Sequence, residues 1–154
     1  MNLRRALAVL ALAAATTQAA EEHGKTDVFA TPGATLAWAI ARGPDEARTF
    51  IVIRVAYDIG INRHFTATGR DPFTNAERAW TATHISSGRM DVRIPRASFA
   101  DFPRTELRFY SGTPGGKPRL EVVYHGAPDT TPEFDDPARL DAYLDERIAK
   151  ARTR

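Results

Sequence analysis

The chain has no cysteine, only three lysines among its 21 basic residues, and no apolar run longer than the ten residues from Ala6 to Ala15. Without cysteine there is no disulfide framework, no thiolate nucleophile and no thiolate-ligated metal site. It also lacks the cysteine a lipid anchor would need. A ten-residue run is half of the roughly 20 residues a membrane-spanning helix requires. No G-x-S-x-G elbow occurs. The glycines of SGTPGGKP (111–118) do not make a phosphate loop: Gly112 and Gly116 are one residue too close, and Pro118 stands where Ser or Thr must hold magnesium. With 154 residues, 43% hydrophobic and 26% charged, the composition excludes disorder and collagen-like repeats and fits one globular domain.

Residues 1–20 read as a secretory signal peptide to be cleaved: Arg4 and Arg5 form a positive start, Ala6–Ala15 an apolar centre, and Thr17 and Ala19 the small residues before a cleavage site. The alanine-rich centre and the excess of arginine over lysine fit a GC-rich bacterial genome. Removing Arg4 and Arg5 leaves 19 basic against 19 acidic residues. A neutral mature chain lacks the positive field that non-specific nucleic-acid binding needs. It also carries no membrane span. The expected location is periplasmic or secreted.

Residues 21–33 read as a short polar tail with one brief strand at Val28–Ala30, and residues 34–154 as a single β-rich domain. In TLAWAIA (35–41), Leu36, Trp38 and Ile40 alternate with alanines, a strand with one bulky and one small face. TFIVIRVAY (49–57) is apolar on both faces except at Arg54, which marks a central strand. Further strands are expected at 63–68, 80–85, 90–94, 106–110 and 120–125, separated by turn chemistry such as GRDPFTN (69–75). After Pro132 the period changes. Asp136-Pro137 is a cap followed by a first-turn proline, and Leu140, Leu144 and Ile148 mark one face of a helix over 137–152. The expected architecture is mainly β, an antiparallel β-sandwich or partly open barrel with one C-terminal amphipathic helix. The Trp38 and Tyr57 pair resembles the aromatics of an immunoglobulin-like or fibronectin-like sandwich, though its spacing names no family.

Candidate chemistry falls into three groups. The first is a binding surface on the longest irregular stretch, 57–78, with Arg63, Arg70, Phe73 and Trp80 as its contacts: loop aromatics anchor partners and arginines add directional bonds. They belong to a series (Arg54, Arg63, Arg70, Arg78, Arg89, Arg93, Arg96) set against an acidic segment, 121–146, that holds eight acids and Arg139 as its one Lys or Arg. Arg54, interrupting an apolar strand, must have an internal ionic partner if buried. The second is a metal site from His64, His84 and His125, since imidazoles on neighbouring strands can ligate zinc or copper. None of the short histidine spacings of such sites is present. The third, calcium in the acidic loop 129–136, lacks ligand spacing, and helix capping accounts for its acids.

These readings describe a secreted or periplasmic, non-catalytic binding or accessory protein without a cofactor, whose partner is another exported or envelope protein. The alternative is a periplasmic copper- or zinc-binding protein, with a hydrolase ranked behind both.

Overall fold

The computed structural model describes residues 20–23, 28–31, 33–58, 64–110, 120–125 and 131–153, with backbone placement alone for some of them. Among the described residues eleven strands form two sheets: β1 (Ala20–His23), β2 (Val28–Thr31), β3 (Ala34–Ala41), β4 (Phe50–Tyr57), β5 (His64–Arg70), β6 (Glu77–Ala79), β7 (Thr81–Ser86), β8 (Arg89–Pro95), β9 (Arg104–Tyr110), β10 (Leu120–His125) and β11 (Glu133–Phe134). A short helix, α1 (Arg96–Asp101), follows β8, and the chain closes with α2 (Pro137–Arg152). One sheet runs β1-β10-β9-β5-β6. The other runs β11-β3-β4-β8-β7, with β2 also paired to β3. Nearly all pairings are antiparallel; β1–β10 and β11–β3 are parallel.

The two sheets pack face to face, a sandwich and not a closed barrel, as the alternation of β3 anticipates. Its bulky face, Leu36, Trp38 and Ile40, joins Ile51, Ile53, Val55 and Tyr57 of β4 and Val92 and Ile94 of β8 against Ala67, Leu107 and Phe109 of the opposite sheet. Its small face, Ala37 and Ala39, lies with Val52 and Ala56 beneath α2, where Leu140, Leu144 and Ile148 are buried. Residues four apart share one side of a helix. Alanines on the sheet let that stripe approach closely, and each buried Leu or Ile contributes about 1.5–3 kcal/mol. β4 is apolar on both sides because both sides are covered. Asp136 caps α2, its Oδ1 accepting from the Ala138 backbone N–H at 3.0 Å, with Pro137 at the first turn. Among the described residues no helix is long and apolar enough to cross a membrane.

Strands β1, β6 and β11 and helix α1 go beyond the expectation. The stretch 80–85 is not one strand either. Trp80 interrupts it: β6 is the last strand of one sheet, β7 the last of the other, and Trp80 is the corner between them. A single extended segment, 77–86, therefore forms the rim of both sheets.

Candidate binding site at the β5–β6 hairpin

The turn joining β5 to β6 is built from its own sequence. Asp71 Oδ1 accepts backbone N–H bonds from Phe73 (2.7 Å) and Thr74 (3.0 Å), and the Asp71 carbonyl accepts from Asn75 N–H at 3.0 Å. Asn75 takes the left-handed conformation at φ 59°, which Asn tolerates better than most residues. The N–H groups of Thr74 and Phe73 hold the Asp71 carboxyl below its usual value. Phe73 rides at the apex, 96% exposed.

Arg70 stands under this turn. Its Nε donates to Glu106 Oε1 (3.0 Å), its Nη1 to Asn75 Oδ1 (2.9 Å), and its Nη2 to Glu77. Glu106 is only 3% exposed, and Arg104 (3.2 Å) and Arg108 (2.8 Å) also reach its carboxylate. The bond to Glu106 is the main reason the Arg70 guanidinium binds its proton more tightly than usual. Arg70, expected as a partner contact, has its donors committed within the fold. It positions the tip. The sequence could not show this, because Glu106 lies 36 residues away.

Trp80, expected as an exposed anchor, is 7% exposed and belongs to the core. It packs edge-on to Phe102, with ring centroids 5.9 Å apart, and lies so close over Gly69 that a Cβ there would sit 2.1 Å from Cζ2. The missing side chain of Gly69 is what admits the corner. Arg78 covers the outside, its guanidinium 5.7 Å from the Trp80 ring and 6.0 Å from Phe102. Arg63 lies outside the described residues.

The contrast between an arginine-rich middle and an acidic C-terminal segment is cancelled in space. Arg54, 4% exposed, meets Asp91 through two bonds of 2.9 Å and reaches Asp141 (2.7 Å) and Asp145 (3.2 Å) on α2. Those carboxylates hold its guanidinium protonated against the cost of burial. Arg89 bonds Asp145 at 2.7 Å, and Arg42 and Arg96 both bond Glu133. The recess beside Arg54, lined by Ile85, Ser86, Arg89 and these aspartates, offers no carboxylate pair free for hydrolysis.

His64 pairs with Tyr110 and His125 with Arg104, at opposite ends of β9. Six residues of strand separate those positions by about 20 Å, far beyond a shared coordination sphere. His84 lies on the other sheet, exposed on β7 opposite Met90. The three expected ligands are thus spread over both sheets. In register with His125 is instead His23 of β1. Among the described residues no three His, Asp or Glu side chains converge to hold a metal.

No protein-family model, curated protein sequence or solved structure matches this chain. What the hairpin can do chemically therefore rests on its own geometry: a braced turn presenting one bare aromatic ring at its apex.

Proposed function

We propose that this chain is an exported, non-catalytic binding protein that docks on another exported or envelope protein through the β5–β6 tip, with Phe73 as the anchor. The observation that carries the reading is the bracing of a fully exposed phenylalanine. Asp71 holds the Phe73 backbone and Arg70 ties the turn to Glu106, so the backbone carrying the ring loses little freedom on binding and more of the burial energy becomes affinity. The leader-like residues 1–20 support export, and the charge balance of the remainder speaks against a nucleic-acid partner.

A photo-cross-linking amino acid at position 73 tests this in cells producing the full chain. The expected result is one discrete adduct with an envelope or exported protein, absent when the same group replaces exposed Glu146 and competed away by unlabelled protein. Cross-linking at 73 no stronger than at 146 would remove the tip as the contact. Recovery of the chain in the cytoplasm with residues 1–20 intact would remove export.

A further inference from the structure

A recess of about 170 Å³ opens beside the first turn of α2, on the helix-covered side of the sheet that contains β3. None of its described lining residues belongs to the β5–β6 tip. The sequence makes it: β3 ends on its small face at Ala41, and α2 begins only at Pro137, so neither fills the space between them. Phe134, in register with Ala41, and Leu140 supply an apolar wall. At about 15 Å³ for each water-sized particle, the space takes roughly ten ligand atoms.

Five charged side chains line the same recess, and three are already engaged. Arg42 bonds Glu133 through Nε and Nη2, Arg48 bonds Asp45, and Asp136 accepts the Ala138 N–H. Arg93 and Asp135 are the other two. Arg93 rests its guanidinium over the Phe50 ring at 4.9 Å and meets no carboxylate among the described residues. Stacking uses the face of a guanidinium and leaves the N–H groups along its edge to donate. Asp135 is exposed, has no cationic partner among the described residues, and does not reach Arg93 across the recess. Beside it stands the capping Asp136, and two carboxylates outweigh the half charge of the α2 N-terminus. The recess therefore holds an unspent guanidinium on β8 apart from an unspent carboxylate ahead of α2, with an apolar wall between elements.

We propose that this recess binds a free α-amino acid with an apolar side chain, its carboxylate on Arg93, its ammonium on Asp135 and its side chain against Phe134 and Leu140. Such a zwitterion supplies both missing partners at once, which neither a plain anion nor a plain cation does. The site is separate from docking through Phe73.

The probe is L-leucine, set against leucinamide, which lacks the carboxylate, and N-acetyl-leucine, which lacks the ammonium. Isothermal titration of the purified protein should show one leucine bound per chain, with each analogue weaker by about threefold or more. Arg93→Gln should weaken leucine by about three- to fivefold and erase its advantage over leucinamide, while keeping its advantage over N-acetyl-leucine. Asp135→Asn should do the reverse. This crossed pattern reports contact with each end of the ligand, which a general change in packing would not produce, and thermal unfolding checks that both variants fold. Phe73→Ala should leave leucine affinity unchanged. N-acetyl-leucine binding as tightly as leucine would make the recess an anion site, and leucinamide doing so a cation site; either result overturns the proposal. So would both variants weakening all three ligands alike, or no heat with leucine or phenylalanine up to about 10 mM. None of these outcomes alters the cross-linking result at Phe73.

Discussion

Arg54 and Asp91 are partners across β4 and β8, and their side chains meet through two parallel bonds, Nε to Oδ1 and Nη2 to Oδ2, each 2.9 Å. Asp91→Ala leaves a buried guanidinium that cannot shed its proton. Breaking a buried pair costs about 3–5 kcal/mol, and because Asp141 and Asp145 remain as exposed partners we expect the lower end of that range. Urea unfolding should show a reduced midpoint with an unchanged slope. A loss below about 1 kcal/mol would mean that the helix acids alone satisfy Arg54.

Gly69→Ala should dislodge the corner. The new Cβ would lie 2.1 Å from Cζ2 and 2.6 Å from Cε2 of Trp80, so the indole must move. Forcing atoms into a packed site costs about 1–3 kcal/mol. Because the chain has two tryptophans, the measurement belongs in a Trp38→Phe background, where Trp80 emission should shift to the red as the ring becomes exposed. Unshifted emission would show that the rim adjusts without moving Trp80.

Order at the tip should fade in acid. The Asp71 carboxyl is held below its ordinary value of 3.8 by the N–H groups it accepts from. A depressed carboxyl stabilises the folded turn above the ordinary value, and that contribution is lost as pH falls through the depressed one. The Phe73 and Thr74 amide resonances should therefore titrate with a midpoint below 3.8. Asp71→Asn should flatten that titration.

Phe73→Ala should change stability by no more than about 0.5 kcal/mol, the usual range for a surface site, since the ring is 96% exposed. A larger loss in thermal unfolding would reveal a hidden contact and weaken the reading of Phe73 as an anchor.

Asp136→Ala removes the cap of α2 and should cost about 1 kcal/mol. For a chain of this size that corresponds to a fall of roughly 2–4 °C in Tm. Asp136→Ser should restore most of it, because a hydroxyl can accept the same Ala138 N–H.

Much of this fold is written locally. The alternation of bulky residues with alanine along β3 states which side meets the sandwich and which meets a helix, and Asp136-Pro137 marks where that helix begins. Arg54 announces its own partner requirement by standing in an apolar strand. What stays hidden depends on distant residues. Trp80, Ala82 and His84 keep a strand-like alternation through 80–85, and nothing nearby signals that the chain changes sheets there; the reason is the absent side chain of Gly69. Arg70 sits among turn residues and reads as a surface cation until Glu106 closes on it. The opposed blocks of charge along the sequence suggest two surfaces, yet folding brings them together as pairs. Of the expected contacts among the described residues, Phe73 alone stands bare.

Because Glu77–Ser86 is one unbroken backbone, the two layers are geared to each other. Neither sheet can slide past its neighbour without dragging the indole of Trp80 off Gly69, so the rim behaves as a hinge pin driven through both. Phe73 sits in the turn just ahead of one arm of that corner, and β7 is the other arm.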